Sequence, residues 1–170
     1  MLRHAKERWR STNTARIAAL AIPTTEIVDY GVRGDPPLDL ASMPSPAHLL
    51  YPGPSHSPPP PSTSTEKANI QVILPDGNWH QAGRLARRLA QQPGLSPLSL
   101  EGVSRAEHTL RRTVDPSRLS TIEAMAACLA HFGEGENAER LRAVYRALVL
   151  GSVAGRGGRN LELLGELTEE

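Results

Sequence analysis

Cysteine is nearly missing from this chain: Cys128 is the only one among 170 residues. No disulfide framework and no cysteine-based zinc site can form within it. The run MAACLA places Cys128 on a predicted helix, where it reads as a small buried side chain rather than a nucleophile. Long apolar runs are also lacking, none approaching a membrane span, and no signal-peptide core follows Met1. The expectation is a soluble, cytoplasmic protein. Lysine is scarce, with only Lys6 and Lys67 among 19 basic residues, and arginine is the cation suited to bidentate phosphate and base contacts. The six histidines contain no H-x-x-x-H pair, so no metal site is expected. Gly151, Gly155, Gly157 and Gly158 follow no strand and fit neither a Walker nor a dinucleotide fingerprint. There is no G-x-S-x-G elbow and no internal repeat.

Charge and proline are unevenly placed. The net charge of +1 divides into +4 over residues 1–18, −4 over 19–83, +4 over 84–118 and −3 over 119–170. Two basic blocks can form one face if the fold joins them, or they can simply solvate the surface. Residues 36–61 hold ten of the fifteen prolines, around a plausible short strand in AHLLYPG. The stretch of about 54–68 reads as a flexible insertion in a single domain of residues 1–155, followed by a flexible or weakly helical acidic tail, 156–170.

The remaining elements alternate. Thr12 or Asn13 can cap a helix to about Ala21, and TEIVDYG reads as a strand. NIQVIL reads as a buried strand stopped by Pro75. Asp76, Gly77 and Asn78 then form a polar turn. Trp79, Ala82, Leu85, Ala86 and Leu89 recur at helical spacing, with Arg84, Arg87 and Arg88 on other faces. SPLSL is a further strand, and residues 101–119 a loop or short helix. Ser120 and Glu123 spell a capping box for a helix ending near Phe132 and Gly133. A last helix carries Leu141, Val144, Tyr145, Leu148 and Val149 and frays from residue 151. Strands alternating with helices predict α/β layers around a mostly parallel sheet.

Three features carry possible chemistry. Asp76 stands where a strand ends and a helix begins, the place where open α/β sheets bind ligands; it could instead merely cap the helix. Trp79 could stack on a base or a cationic ligand, or anchor the core. The basic loop before Ser120 offers positive potential at a helix N-terminus, or is only a well-capped start.

Four segments resemble the DTW-domain family. HAKERWRSTNTARIAALAI is similar to its early H-P-x-E…N-T-x-R-L element, with Ala5 at the proline position. LLYPG is similar to its next strand and turn. LPDGNWHQA resembles its D-x-T-W segment, with Asn78 at the threonine position. LRRTVDPSRLSTIEAMAACL resembles its L-R-K…L-S-T-x-E-A element. Order and approximate spacing agree over roughly residues 4–150. The chain begins three residues before His4, and the first core strand is expected to be clipped.

The resemblance implies a SPOUT-like fold with a C-terminal trefoil knot. It implies transfer of the 3-amino-3-carboxypropyl group of S-adenosylmethionine to a uridine of tRNA, or alternatively of rRNA. The rivals are a SPOUT-type methyltransferase, a truncated non-catalytic RNA-binding paralogue and a small-molecule transferase. The cofactor pocket is expected from Leu50, Tyr51, Pro52, Leu74, Asp76, Trp79, Leu119, Ser120, Thr121 and Glu123. Asp76 would act as general base or hold the cofactor's amino group. On a turn, its replacement by alanine should leave the fold intact. Arg84, Arg87, Arg88, Arg111 and Arg112 are expected to contact RNA, Arg111 and Arg112 most strongly. They could instead solvate the surface or pair with Glu101, Glu107 and Asp115. The oligomeric state stays open.

Overall fold

Residues 71–76 join the two halves of the sheet structure. In a computed structural model describing residues 1–10, 13–39, 42–43, 46–51, 70–100 and 119–155 (side chains to 152), all strand pairings are parallel. One sheet has the order β2-β1-β5, from β1 (Leu2–His4), β2 (Val28–Tyr30) and β5 (Pro75–Asp76). The other has the order β4-β3-β6, from β3 (Ala47–Leu50), β4 (Gln71–Ile73) and β6 (Leu95–Leu98). β4 pairs with β3 through Leu49↔Ile73. One residue later the same chain becomes β5, with Leu2↔Pro75 and Arg3↔Asp76 in register.

The strand of NIQVIL does end before Pro75, but Pro75 does not end strand pairing: it opens β5 in the other sheet. The Leu2 N–H donates to the Leu74 carbonyl at 2.8 Å. Strand alternation then turns the nitrogen of Pro75 to the opposite edge, so its ring costs no bond to β1. Asp76 is likewise a strand residue, and the turn is reduced to Gly77 and Asn78.

Side chains alternate across this surface as the pleat requires. Leu2, Tyr30, Leu49 and Ile73 pack with Leu85, Ala86 and Leu89 of α2 (Trp79–Leu89). Leu50, Leu74 and Leu98 pack on the other face with Cys128 of α3 (Thr121–His131). A third cluster joins α1 (Thr14–Ala21), α3 and α4 (Gly135–Gly155) through Ala18, Ile22, Ile122, Leu141 and Tyr145. Leu89, Leu98, Ile122 and Leu141 are completely enclosed, each contributing roughly 1.5–3 kcal/mol by burial. The result is a mixed α/β fold of small parallel sheets and, among the described residues, four α-helices on two faces.

Local chemistry explains the helix starts. Asn13 caps α1 by accepting from the Arg16 N–H. Ser120 and Glu123 form the expected reciprocal box on α3. Asn78 and Gln81 form a second box on α2, so the capping role considered for Asp76 falls to Asn78. Gly133, at φ +78°, follows α3. Two further differences concern the ends. Residues 2–4, which carry no strand pattern of their own, form a buried strand between two neighbours. α4 continues to Gly155, past the point where fraying was expected. The proline-rich stretch 54–68, the basic segment 101–118 and the tail 156–170 lie outside the described residues. No described helix is long and apolar enough to cross a membrane.

Candidate functional site

The chain leaves β1 through α1 towards β2, and leaves β5 through α2 towards β6 on the far side of β3. The two connections diverge between adjacent strands, and the crevice beyond such a switch point is where parallel α/β sheets take ligands. His4 ends one strand there and Asp76 ends the other.

Asp76 is only 4% exposed, and both its oxygens accept hydrogen bonds. The Asn13 side-chain amide donates to Oδ2 at 2.8 Å, and the Thr121 hydroxyl to Oδ1 at 2.6 Å. Asn13 is the cap of α1 and Thr121 the first residue of α3, so two helix N-termini meet at one carboxylate. Both helix dipoles favour negative charge at that point. A carboxylate offers about four lone-pair positions, so two remain open.

Trp79 begins α2, half-buried, with the Tyr51 ring 6.4 Å away and tilted by 51°. Tyr51 reaches over α2 at Gly83, where a Cβ would lie 2.8 Å from its hydroxyl. The N-terminal turn supplies more buried polar groups. His4 and Glu7 are 5% and 4% exposed. His4 Nδ1 accepts from the Lys6 N–H at 3.2 Å. Glu7 Oε2 pairs with Arg10 at 3.2 Å, while its Oε1 is buried without a hydrogen-bond partner. Burial, then the nearby Arg84 and Lys6 cations, hold the His4 pKa below its usual value.

The expected pocket residues fall as follows. Thr121 touches Asp76 directly, and Tyr51 meets Trp79. Leu50 and Leu74 lie beneath in one apolar cluster. Leu119 and Ser120 are half-buried beside Thr121, and Glu123 closes its own capping box. Pro52, Arg111 and Arg112 lie outside the described residues. Arg84 and Arg88 line a cleft of about 400 Å³ along α2, together with His4, Lys6 and Arg33; Arg87, also exposed, does not line it. Cys128 is buried as expected, its thiol pushed up to about 12 by desolvation and so inert. Asn13 and Glu7 were not foreseen as site residues. Both belong to the H-A-K-E…N-T-A-R segment, and the only local signal was Asn13's capping position. Among the described residues, no group of three or more His, Cys, Asp or Glu side chains is disposed to hold a metal ion.

This is a parallel α/β protein with a buried, doubly bonded carboxylate at its switch point. The DTW domain model matches residues 1–151, and the chain belongs to the DTW-domain family, which is associated with tRNA modification. No curated protein and no solved structure matches it significantly.

Proposed function

We propose that the protein is a tRNA-uridine aminocarboxypropyltransferase of SPOUT-like fold, knotted in its C-terminal half, using S-adenosylmethionine as co-substrate. The observation that carries this reading is Asp76 of the family's D-x-x-W segment, bonded by Asn13 and Thr121 of two other family segments. The residues suit the co-substrate. Asp76 has acceptor positions left for an ammonium group, and the Tyr51–Trp79 pair provides an aromatic wall for a base or sulfonium. When bound, S-adenosylmethionine supplies an electrophilic methylene next to its sulfonium.

The chain's part is orientation. Asn13 and Thr121 fix the direction of the Asp76 carboxylate before any ligand arrives. Preorganised charge of this kind acts without reorganisation, and positioning supplies roughly 7–11 kcal/mol at best. With both oxygens already bonded and the side chain buried, Asp76 suits an anchoring role better than that of a base reaching the uridine proton.

The test is incubation with tRNA and S-adenosylmethionine, followed by nucleoside mass spectrometry and analysis of the small product. An aminocarboxypropyl adduct with methylthioadenosine is expected. A methyl adduct with adenosylhomocysteine would instead mark a SPOUT-type methyltransferase, and no adduct a non-catalytic RNA binder. Asp76→Asn should lower kcat/KM roughly 10–150-fold, the equivalent of one charge-assisted hydrogen bond. An increase confined to KM for S-adenosylmethionine would specify anchoring.

A further inference from the structure

The cleft along α2 is separate from the Asp76 carboxylate. His4 and Gln81 line it and also wall off Gly77, where a Cβ would lie 3.3 Å and 3.0 Å from their Cβ atoms. Its other walls are Lys6, the Gly31–Val32–Arg33 turn after β2, and Arg84, Leu85 and Arg88 of α2. Four cations from three separate segments therefore face one depression. Lys6, Arg33 and Arg84 have no anionic partner within 4 Å among the described residues. Arg88 is held in place: it donates to the Asp35 carbonyl at 2.9 Å and stacks 4.9 Å over the Tyr30 ring.

The only nearby carboxylate in the turn, Asp35, is engaged by the Gly31 and Val32 N–H groups at 2.5 and 2.8 Å. With His4 Nδ1 accepting from Lys6, the neutral imidazole carries its proton on Nε2. That atom lies 3.4 Å from where a Gly31 Cβ would stand, at the cleft wall. A depression of this size, with four cations and a ring N–H donor beside the apolar Val32 and Leu85 side chains, fits a phosphate group.

We infer that this cleft binds a phosphodiester of the RNA substrate, with Lys6, Arg33, Arg84 and Arg88 as its cationic ligands and His4 Nε2–H as a neutral donor. The inference rests on the RNA-substrate reading and gives that substrate a second footing beside the reactive centre. It separates Arg84 and Arg88 from Arg87.

The test uses the full chain, a fluorescein-labelled tRNA transcript and anisotropy over a salt series. Arg33→Gln and Arg84→Gln should each lower the slope of log K against log salt by about one unit, and the triple variant with Lys6→Gln by about three. Arg146→Gln, on α4, should leave the slope unchanged. These positions are exposed, so circular dichroism should show intact folding. Wild-type RNA binding with an unaltered slope in the triple variant overturns the site but leaves the RNA reading standing. An equal loss in Arg146→Gln also overturns it. Failure of the wild type to bind tRNA at low salt removes both. If inorganic phosphate shifts the His4 NMR signal in an Arg84-dependent way while the RNA slope is unaltered, the cleft serves a small phosphorylated ligand, and the RNA inference is wrong.

Discussion

Asn13 does two jobs with one amide, and substitution can separate them. Its Oδ1 caps α1 by accepting from the Arg16 N–H at 3.3 Å, and its Nδ2 donates to Asp76 at 2.8 Å, 63 residues away. Serine is as good a cap but too short to replace the amide donor to Asp76. Asn13→Ser should therefore cost only the bond to the carboxylate, about 1.5–3 kcal/mol for a hydrogen bond to a charged group. Asn13→Ala should lose the cap as well, a further 0.5–2 kcal/mol or so, for a total of about 2–5. Against a typical stability of about 5–15 kcal/mol, the serine variant stays folded and measurable. Urea unfolding is the assay: with a slope near 2 kcal/mol/M, the serine variant's midpoint should fall by roughly 1 M at constant slope. In a double-mutant cycle with Asp76→Asn, the two changes should be coupled by at least about 0.5 kcal/mol. A serine variant within about 0.5 kcal/mol of wild type and additive with Asp76→Asn would show that the Asn13–Asp76 bond holds nothing together.

Asp76→Ala, expected from a turn position to spare the fold, should instead destabilise it by about 1–3 kcal/mol, because the buried Asn13 donor and the half-buried Thr121 donor lose their acceptor; unchanged thermal unfolding would refute this. Gly31 and Gly34 share a positive φ, but only Gly31 is crowded, its would-be Cβ lying 2.9 Å from Leu85 and 3.0 Å from His4. Gly34→Ala should cost about 1–2 kcal/mol and Gly31→Ala about 2–5, and equal losses in urea unfolding would refute the packing argument. Burial holds the His48 pKa below its ordinary 6.5, so the unfolded chain takes up its proton first as pH falls. Stability should therefore be complete above about pH 6.5 and decline below it, and His48→Leu should flatten part of that decline in urea midpoints taken across this range.

What was legible in the sequence was local. The Ser120–Glu123 box, the Asn13 cap, the amphipathic stripe of Ala82, Leu85, Ala86 and Leu89, and the turn at Gly133 each depend on residues within a turn or two. The Asn78–Gln81 box is equally local, an amide cap with its partner three residues on. The first strand was not legible, since Leu-Arg-His has no apolar alternation. Its arginine is buried only because Asp29, its register partner on β2, receives it at 2.7 and 3.1 Å. Pro75 misled because its effect depends on which edge of the strand is paired, a fact of the assembled sheet. The family segments marked the right neighbourhood, but the bonds to Asp76 span 63 and 45 residues, beyond any pattern of spacing.

The position of β1 also has a consequence in time. It leaves the ribosome before the other described strands, yet its partner β5 follows about 70 residues later. At about 5–20 residues per second, that edge waits on the order of 4–14 s for Pro75 and Asp76 to arrive. The apolar side of α1 waits longer still for α3 and α4. Throughout that interval the nascent chain presents an unpaired strand edge and a bare helix face, the surfaces that invite mispairing or a chaperone. Until residue 121 has been added, Asp76 lacks its second donor, so the carboxylate cannot be fully set until most of the chain has been made.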